Sequence, residues 1–153
     1  MSFSGLKELD HGINSANVWL SEVMDKLDVD RHKAWRVLGA VLHTLRERLT
    51  LEQIAHLGDQ LPLIIRGLFY DQWNVVTNNK KLRTRVDFLS RVRKHLKMKE
   101  VNVADAVEVV FGVLMHHPKG EIKKIIKTLP PAIRAFATAR QDPFSGESSL
   151  AWE

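Results

Sequence analysis

The chain has 153 residues, a length that suits one domain and buries enough surface to fold without a metal or disulfide staple. Its 44% apolar and 27% charged residues are ordinary for a globular protein, and only 8 Gly and 5 Pro argue against a turn-rich sandwich or barrel. There is no Cys, which excludes disulfides, thiolate nucleophiles and Cys-type zinc sites.

The net charge of +5 is unevenly spread. Residues 80–99 hold nine basic side chains against Asp87 alone, a local balance of +8 that leaves −3 for the rest of the chain. The first thirty residues lean acidic, with Glu8, Asp10, Glu22, Asp25, Asp28 and Asp30 against Lys7 and Lys26. Such polarity can direct partner choice or self-association. The N-terminus has no apolar run of signal-peptide length. The longest apolar run, Val109 to Met115, is far short of the ~18 residues that span a bilayer. A soluble, cytoplasmic protein with no membrane contact is expected.

Helical periodicity runs through the chain. Ala34, Val37, Leu38, Val41, Leu42, Leu45 and Leu49 follow one buried helix face, with Asp30 as its cap. Thr50 and Gln53 have capping-box spacing before a short helix carrying Leu51, Ile54 and Leu57, and Gly58 is expected to stop it. Pro62 opens a helix through Ile65, Leu68 and Phe69 to about Trp73. Residues 76–81 read as a polar linker. Thr84 caps a helix with Phe88, Leu89, Val92 and Leu96, and Asn102 caps one with Ala106, Val109, Val110, Val113 and Leu114. His116, His117 and Pro118 end that helix, and Ile122, Ile125 and Ile126 mark a short one. Pro130 and Pro131 open the last, through Ile133 and Phe136. Residues 142–153 read as a flexible tail.

The second half echoes the first. Trp19-Leu-Ser-Glu-Val23 matches Phe88-Leu-Ser-Arg-Val92 at an offset of 69. The pattern from Ala34 to Leu42 matches Ala106 to Leu114 at 72, and Leu61-Pro62-x-x-Ile65-Arg66 matches Leu129-Pro130-x-x-Ile133-Arg134 at 68. The expected fold is all-α: about eight helices in two repeated four-helix units, about 14–75 and 84–139, packed as one bundle within a single domain over 1–141. Leu38, Val41, Leu45, Leu61, Ile65, Phe88, Val92, Val110, Val113, Leu114 and Ile133 are the expected core.

Several stretches resemble a bacterial family called domain of unknown function 2267. They are Ala40-Val-Leu-His-Thr-Leu-Arg-Glu-Arg-Leu49, Gln60 to Trp73, Phe88-Leu-x-x-Val92, and Gly120-Glu121 followed by Leu129-Pro130. The resemblance covers roughly residues 14–137. It implies an all-helical bacterial protein and brings no activity, cofactor or catalytic residue.

Signatures of catalysis are missing: no phosphate-binding Gly-rich loop, no Gly-x-Ser-x-Gly, no His-Glu-x-x-His. Ser4 and Lys7 have Ser-x-x-Lys spacing without its companion motifs. This points away from an enzyme, and no cofactor is expected. One weak metal candidate exists: His43 and Glu47, then Glu52 and His56, each four apart on one helix face, would converge if their helices packed antiparallel. The adjacent His116 and His117 point about 100° apart on a helix and read as poor joint ligands. Arg66 and Arg134 follow each Leu-Pro pair and read as structural contacts of a repeat. Trp35, beside the main apolar stripe, is expected at a boundary.

The basic stretch is the strongest signal outside the core. Lys80, Lys81, Arg83 and Arg85 sit in or near the linker, and Arg91, Arg93, Lys94 and Lys97 decorate the next helix. Arg91, Arg93 and Lys94 are expected on its solvent face. The leading expectation is a non-catalytic helical binding or regulatory module for an unidentified protein partner. The alternative is nonspecific nucleic-acid binding through residues 80–99, since a dense cationic face attracts phosphates. Against it, no helix-turn-helix or aromatic RNA-binding motif is present.

Overall fold

The computed structural model describes residues 3–75, 81–117 and 121–140. The expected tail, Lys80 and most of the linker lie outside the described residues. The described residues form eight α-helices: α1 Lys7–Leu27, α2 Arg31–Arg48, α3 Leu51–Gln60, α4 Leu63–Tyr70, α5 Arg85–Leu96, α6 Val103–His116, α7 Glu121–Lys127 and α8 Pro131–Arg134. A 3-10 turn, Ala135–Ala137, completes the set, and no strand occurs among the described residues. The chain is all-α.

Local chemistry places most helix starts. An oxygen of Asp30, Thr84 and Asn102 each accepts from a backbone N–H three residues on. Thr50 and Gln53 complete a reciprocal capping box. Each cap satisfies a donor that the first turn leaves without an intrahelical partner. Gly58 departs from its expected role. The helix α3 runs on to Gln60, and Gly58 is buried inside it. A Cβ there would meet the Tyr70 hydroxyl at 2.0 Å. Gly58 therefore makes room for Tyr70, whose hydroxyl donates to the Ile54 carbonyl at 3.2 Å. The helix α4 also ends earlier than periodicity predicts, at Tyr70, and Gln72 takes a left-handed backbone before Trp73.

Two helices form the centre. The helix α2 touches α1, α4, α5 and α6, and α6 touches α1, α2, α5 and α7. Both are buried on more than one face, as a central helix must be. In α2 even Thr44 is fully buried, and its hydroxyl donates to the Ala40 carbonyl at 2.9 Å. All eleven expected core residues, from Leu38 to Ile133, are buried. Each such Leu or Val contributes about 1.5–3 kcal/mol relative to exposure. The helix α1 adds Ala16, Trp19, Leu20 and Val23 along one stripe, which leaves Val18 outside and 50% exposed. No helix of the described residues is long and apolar enough to cross a membrane.

Candidate functional site

The packing of α2 against α5 creates the most chemically distinctive surface. The C-terminal half of α5 carries Arg93, Lys94 and His95, and its C-cap is Lys97 in a left-handed conformation. Basic side chains suit a helix C-terminus because they oppose the negative end of the macrodipole. Here the cations continue beyond that local need. The Arg36 guanidinium of α2 donates to the Leu96 carbonyl at 2.8 Å, so a fourth cation closes over the same helix end. Residues 36 and 96 meet only in the folded chain, and nothing in the local sequence marks Arg36 for this role.

A cleft of about 600 Å³ opens beside this junction. Arg36, Arg91, Lys94 and Lys97 line it with His43 and His95. Trp35, Gly39, Ala40 and Leu68 provide its apolar part. Trp35 is half-buried, at the boundary where its place beside the stripe puts it, and it also borders a second, more apolar cleft with Ile13, Leu20 and Ile64. On the other side of α5, Arg93, Lys97 and Lys99 edge a cleft of about 610 Å³ with Leu89, Met98 and Val101. The end of α5 thus stands as a cationic ridge between two partly apolar grooves.

The basic stretch does not act as one block. Arg85 lies over the Phe136 ring at 4.7 Å, a cation–π contact that ties it to the core. Arg91 is not a plain solvent-face residue, for its Nε lies 3.5 Å from Glu47 and its side chain is 31% exposed. Lys81 and Arg83 are exposed before α5. Arg93, Lys94 and Lys97 are exposed at the ridge.

Beneath the ridge lies a histidine–carboxylate cluster. His95 Nε2 is 3.4 Å from Glu47 Oε2, at ion-pair distance without hydrogen-bond alignment. Burial pushes the Glu47 carboxyl up, but the His95 contact and the charges of His95, Arg91 and Arg46 outweigh it and hold the group below its usual 4.5. His43 packs edge-on against His95, with ring centres 6.1 Å apart. Its Nε2–H donates to the Leu68 carbonyl at 2.7 Å, which fixes that nitrogen as the protonated one. Burial lowers the His43 pKa from 6.5; the Leu68 bond pulls the other way and is the weaker effect.

That depression has a measurable consequence. A histidine with a lowered folded pKa stabilises the fold fully above its unfolded value and less as pH falls through its folded value. Melting temperature should therefore fall as pH drops below 6.5. His43→Gln keeps a donor for Leu68 and removes the titration. Its melting curve against pH should be flatter as pH falls below 6.5. Parallel curves for the two proteins would remove His43 as the source. Glu47 acts at lower pH with the same sign, its contribution being lost as pH falls below 4.5.

The expected metal candidate is not assembled. His43 lines the cleft and Glu47 lies beside His95, whereas Glu52 and His56 form an exposed pair 3.8 Å apart along α3. These four do not appear as a ligand group among the described residues. The physical reason is that α3 packs on α4 and α7, and its contact with α2 is slight. Arg66 and Arg134 have structural tasks. Arg66 donates to the carbonyls of Gly58, Asp59 and Leu61, and Arg134 to that of Lys127, each near the end of the preceding helix. Ser4 bonds its hydroxyl to the Leu6 carbonyl, a local turn with no partner base.

Residues 16–136 match the family model described as an uncharacterized conserved protein, DUF2267. The chain belongs to this family. The match spans α2 to α8 entirely and most of α1, so it takes in the cleft, Glu47 and His95. None of the curated proteins matches the chain. Membership in the family accordingly carries the fold, and the function of this member rests on its surfaces.

Proposed function

We propose that this chain is a non-catalytic helical binding module whose cationic ridge and flanking cleft receive an acidic segment of a protein partner. The observation that supports it is the cleft itself. It combines four cations with the apolar surface of Trp35, Ala40 and Leu68 in about 600 Å³. A phosphate backbone asks only for charge, whereas an amphipathic acidic segment can use both parts. Aromatic and Arg side chains beside a pocket are also the residue types that dominate binding energy at interfaces. The acidic first thirty residues offer one such partner in a second copy, so self-association belongs to the same reading.

We further read the two halves as pseudo-equivalent four-helix units. Arg66 reaches back to the Asp59 carbonyl and Arg134 to that of Lys127, pairs related by the same offset of 68 as the two Leu-Pro steps. A repeat that keeps this contact keeps the angle between its third and fourth helices.

The test uses Arg93→Glu/Lys94→Glu/Lys97→Glu, which spares the Arg91 contact with Glu47. Wild-type and variant chains are immobilised and exposed to native lysate at low salt. Proteins held by the wild type should be lost at least tenfold on the variant, which should stay folded, since each reversed charge at the α5 C-terminus costs only about 0.3–1 kcal/mol. An identical retained set on both, or none on the wild type, overturns the reading. The second reading is nonspecific nucleic-acid binding, favoured by the exposed cations of the ridge. It requires an electrophoretic shift on duplex DNA whose log affinity falls with log salt at a slope of about −0.9 per phosphate contacted, near −3 for three contacts. No shift at micromolar protein and low salt removes it.

A further inference from the structure

The end of α6 meets α1 in a second cluster of titratable groups, away from the basic ridge. Glu22 Oε1 and His117 Nε2 are 2.6 Å apart across a separation of 95 residues. A carboxylate only accepts, so the proton between them sits on the imidazole nitrogen. The other Glu22 oxygen, Oε2, is buried and has no hydrogen-bond partner among the described residues. An orphaned buried carboxylate oxygen is costly, and a cation is one of the few groups that satisfies it. His116 brings a further nitrogen. One ligand atom from each of Glu22, His116 and His117 lies within 4.8 Å of the other two.

We propose that Glu22, His116 and His117 form a binding site for a divalent transition cation, with Zn2+ as the test ion. Two imidazoles and one carboxylate are the donor set that borderline cations prefer over Mg2+ or Ca2+. Tetrahedral coordination at the usual bond lengths places ligand atoms roughly 3.3 Å apart. The Glu22–His117 contact must open slightly and the His116 nitrogen must close in, movements within reach of side-chain rotation. Binding replaces the proton on His117 Nε2, which moves to Nδ1 or to solvent and leaves a neutral imidazole ligand. The His117 ring is already braced. It stacks on Trp19, three residues before Glu22 on α1, with centres 5.3 Å apart and planes at 22°. Such a brace orients a ligand ahead of binding. His116 is exposed, which gives the ion an entry path and leaves a coordination position facing solvent.

The adjacent histidines read as poor joint ligands on the geometry of a regular helix. Their Cα–Cβ bonds diverge by about 100° on a helix. Side-chain rotation nonetheless brings the two rings together, with centres 4.9 Å apart and planes at 71°. The site would clip α1, at the start of the chain, to the end of α6.

The experiment is calorimetric titration of the full chain, without a histidine tag, with Zn2+. One ion per chain with micromolar or tighter affinity is expected. Glu22→Gln and His116→Ala should each weaken binding by about tenfold or more, since even a partner that only orients a ligand is worth that much. These two variants decide the matter because His117→Ala also removes the Trp19 stack. Zn2+ at about a hundredfold excess over Kd should raise the wild-type melting temperature by several degrees. The same affinity in both variants would place the ion elsewhere, the His43–His95–Glu47 cluster included, and overturn the proposal. So would the absence of stoichiometric binding.

Discussion

Phe111→Ala should destabilise the protein by about 3–5 kcal/mol, the usual result of emptying a phenylalanine site in a core that cannot collapse. The setting makes collapse difficult. Phe111 is fully buried on α6. Its ring lies 5.9 Å from Phe88 of α5 and 5.9 Å from Phe136 of the final 3-10 turn, and Phe88 and Phe136 are 6.0 Å apart. The Phe111 contacts are edge-on, a favoured aromatic geometry. Three rings from three elements meet at one point, so removing Phe111 takes one of its two ring neighbours from each of the others. It also loosens the seat of Arg85 over Phe136. At about 3 °C per kcal/mol for a chain of this size, melting should fall by roughly 10–15 °C. Phe111→Leu should recover more than half of the loss. Urea unfolding of the three proteins measures this directly, and a loss below about 1 kcal/mol for Phe111→Ala would mean that the trio is not the anchor of the second half.

Arg46→Ala should cost about 2–4 kcal/mol, although it removes a charged residue. Arg46 is only 7% exposed. Its Nη1 donates to the Phe69 carbonyl at 2.6 Å and to the Asp71 carbonyl at 3.0 Å. These acceptors lie at the end of α4, where carbonyls have no intrahelical donor. A hydrogen bond from a charged donor is worth about 1.5–3 kcal/mol, and a buried acceptor left alone costs more than one replaced by an apolar group. Burial draws the guanidinium pKa below its usual value, while the neighbouring Glu47 and Asp71 carboxylates oppose the shift. Arg46→Met retains the apolar stem, so any deficit it shares with Arg46→Ala belongs to the bonds and the charge. Arg46→Lys should fall between the wild type and Arg46→Ala, because an ammonium on a different stem keeps a charged donor but reaches the two carbonyls less well than Nη1 does. A midpoint unchanged in Arg46→Ala would show that the end of α4 is held by its apolar contacts alone.

Both sites show where sequence reading reaches its limit. Phe111 falls off the stripe formed by Ala106, Val109, Val110, Val113 and Leu114, so periodicity alone does not place it in the core. It is buried because α6 has neighbours on several sides. Arg46 reads as one more basic residue on an amphipathic helix. Its burial follows from the end of α4 settling over it. In the same way Arg91 reads as a solvent-face cation until Glu47, 44 positions earlier, is found beside it.

By itself the sequence determined the helices from α2 onward, most of their starts, their core stripes and the family, and it marked α1 only through the repeat at Trp19–Val23. These depend on residues a few positions apart: an Asp30 or Asn102 oxygen and an N–H one turn on, or the Thr50–Gln53 exchange. Backbone geometry alone brings such groups together, so their spacing is enough. The tertiary structure decided which charges are engaged and which remain exposed. Arg36 meets Leu96, Glu47 meets His95, and Glu22 meets His117, across 60, 48 and 95 residues. Periodicity states which face of a helix is buried. It does not state which helix covers that face, or at what rotation, and charged groups at the boundary depend on both. The cleft and the Glu22–His116–His117 cluster are products of that docking.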